Sequence, residues 1–149
     1  MQSEGIKLDL KEITIRANGK WYFGEAEMFR RPILNILATN IDRDEEGKFF
    51  IKIGDDINPI TVEDAPFLAT GIMENEDHTF TLVFHDLQEM PLNKRMKLTL
   101  KDDVPYIDFR WKADTRLSRG VYWKLSDWFE FAGAEIFINP PEGKKAGQE

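Results

Sequence analysis

The feature that most constrains this chain is a set of short runs in which apolar and polar residues alternate. "EITIR" (12–16) carries Ile13 and Ile15 on one face, and "KFFIKI" (48–53) carries Phe49, Ile51 and Ile53. In "HTFTLVFH" the shared face holds Phe80, Leu82 and Phe84, and in "MKLTL" it holds Met96, Leu98 and Leu100. "YIDFRW" turns Ile107, Phe109 and Trp111 inward and Tyr106, Asp108 and Arg110 to the other side. A period of two is that of a strand with one buried face. Turn signals separate the runs. Asn18-Gly19 is the strongest of them, because a two-residue hairpin turn needs residues that tolerate positive φ.

Two stretches change to the helical period. "FRRPILNILATNI" has Ile33, Leu34, Leu37 and Ile41 on one stripe, with Pro32 in its first turn, where the missing N–H has no helical partner to lose. A second helix is expected from Ser118 to Phe131, with Val121, Leu125, Trp128 and Phe129 inward, Ser118 as N-cap and Gly133 as its stop. The pattern is α+β: mostly antiparallel β-sheet with two short helices. Element order also echoes itself. A hairpin, a polar bend, an arginine, a short helix and a closing strand occur once around Arg31 and again around Arg119. The expected organisation is therefore a β-hairpin–helix–β unit at residues 8–57 and an antiparallel sheet plus helix at 58–140 that contains a second, similar β-hairpin–helix–β unit, followed by a disordered tail, 141–149.

Composition narrows the function classes. The 149 residues are 42% hydrophobic and 12% aromatic, enough for a real core. The formal net charge of −7 argues against nucleic acid and against anionic membrane as partners of the whole-molecule field. There is no cysteine, so disulfides, thiolate catalysis and cysteine metal sites are out. "MQSEGIKLDLKE" has no basic segment leading into an apolar core, and no apolar run approaches the ~20 residues that span a bilayer, so a cytoplasmic protein is expected.

The residues "GKWYFGEAEMFRRPILNILA", the turn "RDEEGKF" and the strand entry "VEDAPF" resemble the bacterial family catalogued as domain of unknown function 1285. The matching positions are Gly19, Trp21, Tyr22, Arg31, Pro32, Arg43, Asp44, Gly47, Phe49, Val62, Asp64, Ala65, Pro66, Phe67, Arg119 and Tyr122. The chain departs from that pattern at Arg119-Gly120, where Arg-Pro is usual. The resemblance implies a mostly β structure with two similar units, one of them pleckstrin-homology-like, and a loose association with signalling or ligand sensing. It implies no activity.

The arginines at the helix starts are the sharpest local signal. A helix N-terminus is electropositive, so a cation there costs up to about 1 kcal/mol unless negative charge compensates it. An anionic ligand held by Arg30, Arg31, Arg116 and Arg119 is one source of that charge. Internal pairs with Glu25, Glu27, Glu63 or Asp64 are the other, favoured by the excess of acids. Tyr22 and Trp123 fall out of phase with the buried stripes and are the aromatic candidates for a ligand surface. "DRDEEGKFFIKI" mimics a calcium loop but ends in Ile53 where a bidentate carboxylate is required, so a polar turn is expected. No catalytic residues, metal ligands or cofactor motifs stand out. The leading expectation is a non-enzymatic regulatory module that recognises an anionic small molecule or a protein partner. The alternative is an assembly protein that forms a homodimer without a ligand.

Overall fold

The structure is a computed structural model that describes residues 12–141. The tail expected to be disordered lies, from residue 142 on, outside the described residues, as do residues 1–11. The fold is α+β, mostly β with two short helices and three sheets. Two compact units divide the chain, Met1–Asp64 and Ala65–Glu149.

In the first unit, β1 (Ile13–Ile15) and β2 (Trp21–Phe23) form the hairpin that Asn18-Gly19 marks, but its loop is three residues long, 17–19, closed by the Arg16 N–H to the Lys20 carbonyl at 2.9 Å, and of the pair only Gly19 takes positive φ, at 87°. β3 (Ala26–Glu27) extends it, and Gly24 turns between β2 and β3 at φ 61°. Helix α1 (Arg31–Thr39) follows, then an antiparallel meander of β4 (Ile41–Arg43), β5 (Phe49–Ile53) and β6 (Asp56–Pro59). β7 (Thr61–Val62) returns to lie parallel to β1, pairing Thr61 with Thr14. The periodic residues Ile13, Ile15, Trp21, Leu34, Leu37, Ile41 and Ile51 are all buried. Each side chain of that size contributes roughly 1.5–3 kcal/mol on full burial. The resemblance to a calcium loop resolves into a hairpin turn. Asp44 Oδ1 accepts the backbone N–H of Glu46 and of Lys48, each at 2.9 Å, and β5 follows directly.

The second unit is one curled eight-stranded sheet in the order β10-β9-β8-β13-β12-β11-β15-β14. Its strands are β8 (Phe67–Glu74), β9 (Phe80–Phe84), β10 (Glu89–Leu92), β11 (Met96–Lys101), β12 (Val104–Ile107), β13 (Thr115–Leu117), β14 (Phe129–Ala132) and β15 (Glu135–Ile138). Helix α2 (Arg119–Leu125) connects β13 to β14 and packs on β8. The core is aromatic. Phe67 meets Phe109 edge-on at 5.3 Å between ring centroids and stacks on Trp111 at 6.1 Å, while Phe84 meets Phe109 at 4.5 Å.

Three expectations change here. The second helix ends at Leu125, not Phe131. A 3₁₀ turn (Ser126–Trp128) leads straight into β14, because "FEF" finds a strand partner in β15, with Phe129 opposite Ile138. Gly133, at φ 65°, accordingly turns the β14–β15 hairpin and does not stop a helix. Tyr106, assigned to the outer face by alternation, is buried beside Ile107. The Lys101 ammonium lies 4.3 Å from the centre of its ring, covering it.

Candidate anion-binding cleft

α2 begins where β13 ends. Ser118 sits in extended conformation and its Oγ accepts the N–H of Val121 at 3.3 Å, the N-cap bond expected of it. The cap fixes the start of the helix. Val121 and Leu125 face inward, so Tyr122 and Trp123 fall on its outer side. Trp123 is 62% exposed. The neighbouring β11–β12 turn is built on Asp102 (φ 51°) and Asp103 (φ 65°), the two positive-φ positions of a tight hairpin. Between these elements lies an open cleft of about 300 Å³. Arg116, Arg119, Tyr122 and Trp123 line it, over an apolar strip of Val104, Pro105 and Leu117, with Asp103 at its border.

The cleft gathers three of the six residues singled out by sequence: Arg116, Arg119 and Trp123. Arg119 is exposed and makes no ion pair among the described residues. The other three belong to the first unit. Arg30 occupies the N-cap position of α1 without a side-chain cap bond, and Arg31 is the first helical residue. Both are exposed, and among the described residues neither forms an ion pair with Glu25, Glu27, Glu63 or any other acid. Glu63 instead accepts the N–H of Ala17 at 3.0 Å. Tyr22 has the Arg16 guanidinium 3.7 Å from its ring centre, so that face is already covered.

Sequence reasoning missed Asp103, Val104 and Pro105. "KDDVP" reads as a turn and nothing more, because strand pairing alone brings it next to the β13–α2 junction. A larger cavity of about 470 Å³ was also missed, and the basic run "NKRMK" was its signal. Its cations are largely neutralised. Arg95 Nε lies 2.9 Å from Glu130 Oε1, and Lys97 Nζ lies 2.9 Å from Glu135 Oε2.

Two buried carboxylates serve local structure. Asp114 accepts backbone N–H groups from Phe109 (2.8 Å), Arg110 (2.9 Å) and Trp111 (2.8 Å), and the Thr115 hydroxyl at 3.0 Å. That holds the loop carrying two core aromatics. Asp86 receives the backbone N–H and the side-chain amide of Gln88, fixing the β9–β10 turn. Burial raises both carboxyls above their ordinary value, and those hydrogen bonds oppose the rise. Among the described residues, no group of three or more His, Asp or Glu side chains is placed to hold a metal ion, and no helix is long and apolar enough to cross a membrane.

The architecture thus defined, an α+β chain with a small helix-bearing unit and a curled eight-stranded one, is found in known proteins. The chain is structurally similar to a DUF1285 family protein from Silicibacter pomeroyi DSS-3, with a TM-score of 0.67 and 17% identity over 84% of this chain and 73% of that one. It is similar also to a DUF1285 family protein from Shewanella baltica OS155, with a TM-score of 0.63 and 17% identity over 80% of this chain and 94% of that one. At such identity the likeness is one of fold. No family model matches the chain, and no curated protein matches it.

Proposed function

We propose that this chain is a non-enzymatic binding module, regulatory or signalling in role, whose second unit takes a small anion with a flat apolar part. The observation that carries this reading is the convergence of Arg116, Arg119, Tyr122 and Trp123 on one cleft. A guanidinium presents paired N–H donors that match a carboxylate or phosphate. An exposed indole beside it offers a stacking face. The apolar strip favours an organic anion over a bare inorganic one. The recurrence of a three-strand meander, an arginine, a short helix and an antiparallel pair in both units supports a duplicated architecture; that one unit is pleckstrin-homology-like is what the DUF1285 resemblance implies.

The test is a thermal-shift screen with aromatic carboxylates, nucleotides and phosphorylated metabolites, since a ligand bound to the native state raises the melting temperature. Arg119→Ala removes a charge-assisted contact worth roughly 1.5–3 kcal/mol and should weaken binding about tenfold or more. Trp123→Phe should remove the fluorescence response to the ligand. A full screen without a hit, or a shift untouched by both substitutions, sinks this reading.

One observation favours the assembly alternative. β14 is an edge strand of its sheet and Phe131 on it is 72% exposed, a surface open to strand pairing. Light scattering against concentration should then show a dimer that Phe131→Lys dissolves.

A further inference from the structure

The first unit carries an apolar face that its own core does not use. α1 buries Leu34, Leu37 and Ala38, yet Ile33 is 40% exposed, Ile36 58% and Phe29, just before the helix, 75%. Met28, Phe29, Arg30 and Ile33 surround a hollow of about 170 Å³. That is below the ~300 Å³ at which small-molecule pockets begin, and better suited to a single inserted side chain. Arg30 lines the hollow and Arg31 follows it as the first residue of α1; both are exposed and without an ion pair among the described residues. The first turn of α1 contains no acidic residue and its N-cap makes no side-chain bond, so the helix start adds positive potential to that of the guanidinium groups.

This is an apolar patch with a cationic rim on a chain of net charge −7. We infer that it docks an acidic segment of a partner protein, with one apolar side chain entering the hollow and flanking carboxylates meeting Arg30 and Arg31. Charge complementarity selects this occupant. A second copy docking through this same face would set Arg30 and Arg31 against their own counterparts, and a broad anionic membrane meets the field of a chain of net charge −7 with just these two cations at the rim of the patch. The inference is independent of the cleft in the second unit.

The experiment starts from a random peptide display library selected against the full chain. The expected product is a consensus with Asp or Glu on both sides of one aromatic or aliphatic residue. Fluorescence anisotropy with that labelled peptide then measures affinity. The double variant Arg30→Glu, Arg31→Glu should lose at least about tenfold, and Ile36→Ser should lose severalfold. A peptide with its acids replaced by Lys should bind the charge-reversed variant and not the native chain. All the substituted side chains are exposed, and circular dichroism checks that the variants remain folded. Selection without an acidic consensus, or affinity indifferent to charge reversal, overturns the inference. So does self-association that Phe29→Ser abolishes, which assigns the face to a second copy. Co-sedimentation with phosphatidylserine vesicles that Phe29→Ser abolishes assigns it to a membrane and overturns the inference equally.

Discussion

Asp86 shows what a single buried carboxylate does to this protein. Its carboxyl is raised above the ordinary value of 3.8 by burial, with the Gln88 hydrogen bonds and the Arg110 charge opposing the rise. A folded-state carboxyl raised above its unfolded value binds its proton more readily when native. Its favourable contribution is therefore present below about 3.8 and is lost as pH climbs through the folded value. Asp86→Asn keeps the acceptor for the Gln88 N–H and cannot ionise. The expected outcome is that the variant gains stability relative to the native chain as pH rises through that window, then holds a constant difference. Urea unfolding at a series of pH values measures it, and parallel curves for the two proteins refute it. Nothing in the sequence marked Asp86 or Asp114 as buried. Both sit in polar turn segments, and only pairing of distant strands closes the interior around them.

At the scale of elements, the period-two runs and the Asn18-Gly19 turn were legible because each is decided by neighbours in the chain. The end of α2 was not. Its apolar residues fit a helix up to Phe129, and the pairing of Phe129 with Ile138 decides for a strand instead. Alternation likewise overstates burial at strand ends, where Ile53 and Leu100 are exposed despite their phase. Of the cleft, Arg116 and Arg119 could be read from their place just before or at the helix start, and Trp123 from helix phase. Asp103, Val104 and Pro105 could not, since they arrive on another strand. The β9–β10 turn yields a prediction of its own. Leu87 holds φ 70°, a left-handed conformation that costs a leucine roughly 1–2 kcal/mol, and its side chain is exposed. Asn adopts that conformation more readily, so Leu87→Asn should stabilise the protein by about 0.5–1 kcal/mol. Thermal unfolding followed by circular dichroism should show a rise of a few degrees, and a fall would mean that Leu87 packs more than its exposure suggests.

For the whole molecule, an excess of acids sets behaviour in bulk. With a sequence pI of about 5.0, self-repulsion fades as pH falls from neutral toward that value. Turbidity at low ionic strength should peak near it and clear again on either side; a flat profile would show that apolar patches, not net charge, govern association. Topology sets a second property. β7 must return to β1 and β13 must return to β8, each closing a parallel pair across about fifty residues. On a ribosome adding ~5–20 residues per second, Phe67–Ala69 of β8 is synthesised several seconds before Thr115–Leu117, its parallel partner in β13. For that interval a nascent chain carries a stretch that is buried in the finished fold without the partner strand that closes over it, so this protein's yield during synthesis should depend on chaperone capacity more than its finished stability would suggest.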